Sequence, residues 1–170
     1  MEKELKKLGL LTTYIYNDKL NKNLLIAMKK DFKGMIRVFD DEQGVELGYI
    51  TYTINGRGIF VSSLVVKEYY QQNGIARIMF NTAMVHGDIF GVNQIYGNIN
   101  PTDPIRGVSN NDENSFIKEK KALKQIYKKL GCKVEGDKFQ KVWKEGECFD
   151  NCCNEVKMLL SDTVVNRENL

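Results

Sequence analysis

The sequence predicts a single α/β domain, because strand-like and helix-like hydrophobic patterns follow one another along the chain. An apolar, β-branched run from Ile59 to Val66 is typical of a buried strand, and from Ile75 onward the apolar residues take helical spacing. Strand patterns also precede this run, and a second helical pattern follows it. A length of 170 residues suits one well-packed domain and is short for two.

The first 34 residues carry two competing patterns. One set of apolar residues falls on a single face of a helix that would end near Gly34: Leu20, Leu24, Ala27 and Met28. Equally, the apolar run from Leu24 to Met28 is bounded by polar residues, which is typical of a short strand followed by a turn at Asp31 to Gly34. Both interpretations make this segment packing surface.

A meander of three strands is predicted next. Met35 to Asp40 is followed by a turn at Asp41 to Gly44, and Val45 to Thr53 alternates with the period of a strand. That second strand places four residues on one face: Leu47, Tyr49, Thr51 and Thr53. Asn55 and Gly56 predict a two-residue hairpin turn, because both residue types tolerate positive φ. The third strand, Gly58 to Val66, leads into a polar loop.

The helix after that loop has one apolar face formed by Ile75, Ile78, Met79, Thr82 and Ala83. Gln94 to Ile99 is predicted as a strand beside Ile59 to Val66. Pro101 to Pro104 ends it, and the polar segment to Asn114 is either a mobile loop over a functional site or a plain connector.

A helix is predicted from Ser115 to Leu130, with Asn114 or Ser115 as its cap and Gly131 as its end. Cys132 to Glu135 and Phe139 to Trp143 then form a closing hairpin. Beyond Glu145 the chain carries a tail with a short helix around Glu155 to Leu160.

Composition excludes several function classes. The net charge is +3 with both signs interspersed, so a nucleic-acid partner is not expected. Since no apolar run approaches the roughly 20 residues that cross a bilayer, no membrane span is expected either. The stretch from Leu8 to Tyr16 is short and lacks a small-residue cleavage site, so it is not a secretion signal. We therefore expect a cytoplasmic protein.

The four cysteines are expected to be free thiols that bind no metal. Three of them cluster as Cys148, Cys152 and Cys153, and the fourth is Cys132. The cluster lacks the paired ligands that a structural zinc site requires, and it has no neighbouring histidine.

The polar loop between Val66 and Ile75 has the features of a phosphate-binding loop. A loop that opens directly into a helix directs free backbone N–H groups outward at the positive end of the helix dipole. Small residues at Gly74 and Ala76 let a pyrophosphate approach the backbone. The alternative is that Gly74 only shapes a tight turn.

This segment resembles the acetyl-CoA signature of the GNAT superfamily of N-acetyltransferases. That signature is a strand ending in Val, then Arg or Gln, two residues, Gly, one residue, and Gly or Ala. It is matched here by Val66, Gln71, Gly74 and Ala76, with Tyr70 before the glutamine, whereas Glu68 stands where many members carry proline. The resemblance extends over residues 35–143.

The resemblance implies a GNAT-like fold with a mixed, mostly antiparallel central sheet flanked by helices. It implies that the two strands around the loop's helix diverge and hold the pantetheine arm of acetyl-CoA between them. The implied cofactor-binding residues are Leu64, Val65, Val66, Gln71, Gln72, Asn73, Gly74, Ile75, Ala76 and Arg77.

Tyr127 and Gly131 resemble a second landmark of this superfamily, Tyr-x-x-x-Gly-Phe, in which the tyrosine is the catalytic acid. A tyrosine with a pKa near ~10 is protonated at neutral pH and can protonate a departing thiolate. Its helical spacing alone also fits core packing. The match departs from the pattern at Cys132, which replaces the usual Phe, and at Lys120 and Leu123.

A general base is not evident in the sequence. Ser62 and Ser63 occupy the strand where some members of the superfamily carry a glutamate, so a water relay or an already neutral amine would serve. His86, the one histidine of the chain, lies at the end of the helix after the loop, where a surface or helix-end role is the commoner one.

The resemblance implies an enzyme that transfers an acetyl group from acetyl-CoA to an amine on a small molecule or a protein. The alternative is a non-catalytic module that binds coenzyme A or a protein partner. We expect residues 1–145 to form the acetyltransferase domain and residues 146–170 to form an extension.

Overall fold

A computed structural model gives the structure of residues 1–29, 31–67, 71–99, 113–145, 147, 149 and 155–160. Its helices and strands follow the order α1 (Glu2–Lys7), β1 (Leu11–Asn17), β2 (Lys22–Met28), β3 (Lys33–Asp40), β4 (Val45–Asn55), β5 (Gly58–Val66), α2 (Ile75–Ile89), β6 (Gln94–Asn98), α3 (Glu113–Lys129), β7 (Lys133–Glu135) and β8 (Lys138–Val142). Residues 155–160 are also helical.

One sheet of the described chain contains all of these strands, in the order β1-β2-β3-β4-β5-β6-β8-β7. Neighbouring strands run antiparallel except β5 and β6, which are parallel. Helix α2 connects these two strands, as a parallel pair requires a crossover. The predicted fold class, a mixed and mostly antiparallel sheet flanked by helices, is confirmed.

The main hydrophobic core lies between the sheet and α2. Met79 and Ala83 of the helix belong to the same buried cluster as Ile36, Ile50 and Ile59 of the sheet. A smaller cluster lies on the opposite face, where α1 places Leu5 against Leu25, Ala27 and Phe39. The two clusters follow from strand geometry, because successive side chains point to opposite faces.

The segment Lys22–Met28 is strand β2 and Leu20 lies in the turn before it, so the helix alternative is wrong. Leu24, Ile26 and Met28 belong to the main core, whereas Leu25 and Ala27 belong to the smaller cluster. A strand buried on both faces reads as a continuous apolar run, which explains the misleading helical spacing. The sequence did not predict its edge partner β1, nor helix α1.

The turn between β4 and β5 differs in detail from the prediction. The last residue pair is Asn55 with Gly58, so the two-residue loop is Gly56 and Arg57. Neither Asn55 nor Gly56 takes positive φ. Instead, the Asn55 side-chain oxygen accepts hydrogen bonds from the backbone N–H groups of Arg57 at 2.8 Å and Gly58 at 3.1 Å. A side-chain turn of this kind replaces the backbone turn that was expected.

Helix α3 begins at Glu113, so Asn114 and Ser115 lie inside it and neither is the cap. The predicted end is confirmed: Gly131 has φ 89°, and the N–H of Cys132 reaches the carbonyl of Tyr127 at 3.0 Å. The closing hairpin of β7 and β8 is also confirmed.

The C-terminal extension packs against the domain where it is described. Its predicted short helix is confirmed over residues 155–160. Phe149, Val156 and Leu160 are buried in the main core, and the Phe149 ring meets Trp143 edge-on with centroids 5.7 Å apart. The predicted loop or connector from Pro101 lies outside the described residues up to position 112.

Candidate functional site

The loop between Val66 and Ile75, which we call the glycine loop, connects the end of β5 to the first turn of α2, as predicted. The N–H of Lys67 bonds to the Leu47 carbonyl at 2.9 Å, and residues 68–70 lie outside the described chain. Gln72 and Gly74 both have left-handed backbone conformations, with φ 69° and 80°. Gly74 is the N-cap of α2, and this cap makes no side-chain hydrogen bond. The first N–H groups of the helix therefore lack a capping side chain.

The predicted cofactor-binding residues divide into buried and exposed groups. Leu64, Val65 and Ile75 are buried, so their side chains belong to the core and only their backbone can meet a ligand. Val66 and Ala76 are half-buried. By contrast, Gln71, Gln72 and Arg77 are exposed, with Asn73 and Gly74 half-buried between them. The exposed surface of the loop thus runs from Gln71 to Gly74 and continues at Arg77.

The loop is fastened to the turn between β1 and β2, which the sequence did not predict. Buried Asn17 donates from Nδ2 to the carbonyl of Asn73 at 2.8 Å, and Lys19 Nζ donates to the carbonyl of Gln72 at 3.1 Å. Asn17 is itself held because its Oδ1 accepts the N–H of Leu20 at 2.7 Å. An Asn-Asp-Lys turn signal was present in the sequence, but it did not indicate this distant partner.

A cavity of about 310 Å³ lies between this turn and the glycine loop. Its wall includes Asn73, Gly74 and Arg77 on the loop side and Asp18 and Lys19 on the turn side. Of the residues that the structure describes, two cations and one carboxylate therefore border the cavity. This balance and the helix N-terminus both favour an anionic group there.

Strands β5 and β6 pair only over a short length of the described chain. The pairs are Ile59 with Ile95, Phe60 with Tyr96, and Val61 with Gly97, although β5 continues to Val66. The register of β5 against β4 shifts directly after Val61, where Ser62 is the extra residue of a β-bulge. The two strands thus separate at the bulge, as the resemblance implied.

Hydroxyl groups occupy the bulge in place of a carboxylate. Ser62 Oγ lies 2.9 Å from Thr51 Oγ1 and donates to the Thr51 carbonyl at 3.0 Å. Ser63 Oγ also reaches Thr51 Oγ1. The bulge therefore carries neutral side chains that donate and accept hydrogen bonds.

Tyr127 lies beside the start of this gap. It is buried, with 5% of its surface exposed, and its ring stacks on Phe139 with centroids 3.8 Å apart and planes at 11°. Phe139 is the register partner of Gly97, which in turn pairs with Val61 at the last position before the strands separate. A side chain at Gly97 would collide with the Phe139 ring at 2.8 Å. Glycine at this position therefore lets the aromatic stack approach the gap.

His86 is buried in the core, and the expected surface role is wrong. None of its surface is exposed, and the Tyr52 hydroxyl lies 2.6 Å from its Nδ1. Burial raises the pKa of Tyr52, so this hydroxyl stays protonated and shares a hydrogen bond with Nδ1. The C-terminal half of α2 lies against the sheet, which explains why a residue near the helix end is not at the surface.

Cys132 is a buried free thiol whose pKa is raised to about 12 by burial, with Lys141 acting in the opposite direction. Across the residues that the structure describes, no three His, Cys, Asp or Glu side chains group in a way that could hold a metal ion. Cys148, Cys152 and Cys153 lie outside the described residues.

No protein-family model matches this sequence, and no curated protein matches it either. Solved structures do match. A mutant form of a cAMP-binding acyltransferase from Mycobacterium smegmatis superposes with a TM-score of 0.65 at 8% identity, over 95% of this chain and 57% of that one. This chain thus spans just over half the length of that protein.

A second match is a candidate streptothricin acetyltransferase from Bacillus anthracis str. Ames, solved with acetyl coenzyme A. It superposes with a TM-score of 0.50 at 13% identity, over 76% of this chain and 69% of that one. Both proteins are acyltransferases by name, and the pairing of β5 with β6 ends after Val61, as the resemblance to the GNAT superfamily implied. The chain has the GNAT fold.

Within this GNAT fold, both motifs lie at the ends of helices. Gln71, Gly74 and Ala76 stand at the junction of β5 with α2, and Tyr127 and Gly131 stand at the end of α3. In the described part of the chain, no helix combines the length and the apolar character needed to cross a membrane.

Proposed function

We propose that this protein transfers the acetyl group of acetyl-CoA to a primary amine. The observation that carries the proposal is the junction of β5 with α2. Gly74 takes a left-handed conformation at the N-terminus of a 15-residue helix, directly after a strand that separates from its parallel neighbour. An anion site and an unpaired strand edge are therefore adjacent at this junction. Acetyl-CoA requires both, because its phosphates need an anion site and its extended pantetheine arm can pair with a strand edge.

The residues present fit the anionic end of coenzyme A. Gln72 and Gly74 have left-handed backbone conformations, and turns with such residues can form anion-binding concavities from backbone N–H groups. Lys19 and Arg77 border the same cavity and would neutralise phosphate charge. We assign Gln71 to Arg77 to this end, and the backbone of Leu64, Val65 and Val66 to the pantetheine arm.

Tyr127 is proposed as the catalytic acid. The amine nitrogen attacks the carbonyl carbon of the thioester, a C–N bond forms and the C–S bond breaks. The sulfur leaves with the bonding electron pair and receives a proton from the Tyr127 hydroxyl, which is then reprotonated from solvent. The stack on Phe139 holds the tyrosine at the gap where the thioester would lie.

The proton lost by the amine is proposed to pass to water. Ser62 and Ser63 stand at the bulge where a carboxylate would otherwise act as base, and their hydroxyl groups can hold a water molecule by hydrogen bonds. An amine that is already uncharged in solution needs no further base to attack. Turnover should therefore rise with pH as the acceptor amine loses its proton.

We also propose which residues form the active domain and in which compartment the protein is located. We assign the acetyltransferase domain to residues 1–145, with the extension from 146 supplying Phe149, Val156 and Leu160 to its core. A cytoplasmic location rests on the sequence argument alone.

A non-catalytic module that binds coenzyme A or a protein partner is the second candidate. The burial and stacking of Tyr127 favour it, because these contacts also suit a purely structural ring. Purified protein tested for release of CoA thiol against a panel of amines separates the two. Acetyl-CoA binding with amine-dependent thiol release supports the enzyme, and binding without release supports the module. Absence of acetyl-CoA binding in calorimetry would contradict both the enzyme and the CoA-binding module.

A further inference from the structure

A second cavity, of about 360 Å³, opens on the sheet face opposite α2. Ile59 and Ile95 point into the main core beneath the helix, so their neighbours Phe60 and Tyr96 point to the other face. Both of these aromatic residues line the cavity. Its volume lies at the lower end of the range for small-molecule sites, about 300–1,000 Å³.

The cavity lies beside the gap that the proposed function assigns to the thioester. Phe60 and Tyr96 form the parallel pair next to the last one, which is Val61 with Gly97. The bulge residue Ser62 directly follows Val61. Phe139 also lines the cavity, but its ring lies on the α2 side of the sheet, in the main core, where Tyr127 stacks on it. A ligand in the cavity would therefore lie on the opposite face of the sheet from Tyr127, beside the strand positions that precede the bulge.

The aromatic wall of the cavity is fixed by its neighbours. The Phe60 and Tyr96 rings lie 5.5 Å apart at 55°, and the Asn55 amide donates to the Tyr96 hydroxyl at 3.0 Å. The Arg57 guanidinium lies over the Tyr96 ring, with its carbon 4.6 Å from the centroid. Arg57 also lines the cavity, and a guanidinium can stay stacked on a ring while it binds a carboxylate or phosphate with two hydrogen bonds.

The charges around the cavity are mostly positive. Among the described residues, Arg57, Lys133 and Lys138 line it together with a single carboxylate, Glu135. Glu135 is already paired with Lys133 at 3.0 Å. Within the described ranges no ion pair joins Arg57 or Lys138 to a carboxylate. Two cationic groups are therefore available for an anion in the cavity.

We propose that this cavity binds the acceptor, and that the acceptor is a small aromatic amine carrying a carboxylate or a phosphate. The inference rests on the proposed function, since it names the substrate class of the same site. The ring of the acceptor packs on Phe60 and Tyr96, and its anionic group meets Arg57 and Lys138. Its amine then points toward the bulge, and a polycationic amine is disfavoured because it would face like charges.

A matched series of amines tests the proposal: phenethylamine and its para-carboxylate, para-phosphate and para-aminomethyl derivatives. Acetylated product is measured by mass spectrometry with acetyl-CoA in excess. We expect kcat/KM to be about tenfold or more higher for the carboxylate or the phosphate than for phenethylamine, and lowest for the aminomethyl compound. The carboxylate and phosphate arms show which anion is preferred. Equal kcat/KM across the series would overturn the inference and leave the proposed function standing.

Arg57→Gln tests the role of the guanidinium, with Lys3→Gln as a control that removes one exposed charge from α1. The ratio of kcat/KM for the preferred anionic amine to that for phenethylamine should fall about tenfold in Arg57→Gln and stay unchanged in Lys3→Gln. An unchanged ratio in Arg57→Gln would contradict the assignment.

Calorimetric titration with para-ethylbenzoate and para-ethylphenyl phosphate provides a readout that needs no acetyl transfer. Suppose that the protein acetylates none of the amines but binds either compound, and that this binding weakens in Arg57→Gln. That result would retain the anion site and reject the proposed function. Absence of binding by both compounds, with acetyl transfer intact, would reject the anion site alone.

Discussion

Asn17 at the end of β1 donates a hydrogen bond from Nδ2 to the carbonyl of Asn73 in the glycine loop, at 2.8 Å and across 56 positions of sequence. The contact joins the far edge strand of the sheet to the N-terminus of α2. Because Asn73 immediately precedes the left-handed Gly74, the bond fixes the backbone at the position where the loop enters the helix. The conformation of the proposed phosphate site therefore depends on a residue outside the motif.

Asn17→Ala should weaken acetyl-CoA binding by about threefold to tenfold, because the loop loses the bond that positions its N–H groups. Leaving a partly buried carbonyl without its donor should also lower the free energy of unfolding by about 1–3 kcal/mol. Calorimetry and urea denaturation measure the two effects. Asn93→Ala is the control, since Asn93 is exposed and its backbone carbonyl, which the substitution keeps, accepts the N–H of Trp143. Equal affinities in Asn17→Ala and wild type would show that the loop holds its shape alone.

Gly74→Val should abolish acetyl-CoA binding that calorimetry can detect. A β-branched residue is strongly disfavoured at φ 80°, so the loop must change its backbone at the proposed pyrophosphate site. Space is not the cause, since a Cβ here would meet Asn17 Nδ2 at an ordinary 3.6 Å.

Gly91→Val is the matched control for that variant. Gly91 follows the other end of α2 with φ 85°, and among the described residues no atom lies within 4 Å of the point that a Cβ would occupy. The control therefore carries the same backbone strain away from the loop. If both variants lose binding, general backbone strain is the cause. Unchanged affinity in a folded Gly74→Val protein would show that the loop is only a turn.

The Lys22–Asp40 ion pair should make stability depend on pH in the acid range. Burial opposes ionisation of Asp40, but hydrogen bonds from Lys22 and from the backbone at Gln43 and Glu42 outweigh it and hold the pKa of Asp40 below its ordinary value. Its contribution to stability is then fully present above the unfolded pKa of about 3.9 and disappears as pH falls through the lower folded pKa.

Asp40→Asn should therefore lower the free energy of unfolding by about 1–3 kcal/mol at neutral pH and by less below pH ~3. Urea denaturation across that range measures the difference, and exposed Asp31 provides the control substitution Asp31→Asn. A penalty that stayed constant with pH would mean that packing, rather than charge, accounts for the effect.

The sequence predicted the central elements because their signals are local. The hydrophobic run of β5, the glycine at position 74 and the spacing from Tyr127 to Gly131 lie within short windows. In contrast, β1 escaped prediction because it is an edge strand whose Tyr14 and Tyr16 point outward, 39% and 51% exposed, which blurs the apolar alternation. A strand with one unpaired edge leaves a weaker pattern than a central strand.

The contacts that complete the candidate site could not be predicted because they are long-range. Asn17 and Lys19 reach the loop across more than 50 positions, and the Tyr52 hydroxyl meets His86 across 34. Periodicity shows which face of α2 is apolar, but it does not show which polar group on the sheet lies opposite. Only the register of the strands supplies those pairs.

Tyr127→Phe separates the enzyme from the binding module. If the hydroxyl protonates the departing thiolate, its removal costs an interaction that matters mainly in the transition state. General acid assistance contributes about 10²–10⁴-fold, so kcat should fall by that factor while acetyl-CoA affinity changes little. Steady-state kinetics and calorimetry measure the two quantities.

Stability distinguishes this result from a packing defect. The substitution keeps the ring that stacks on Phe139 at 3.8 Å, so the free energy of unfolding should stay close to wild type. Phe139→Leu is the matched comparison, because it removes the stack but keeps the hydroxyl, and it should lower stability together with a smaller loss of kcat. Near wild-type turnover in Tyr127→Phe would mean that water protonates the thiolate. Tyr127 would then be a core residue that contributes only the packing of its ring.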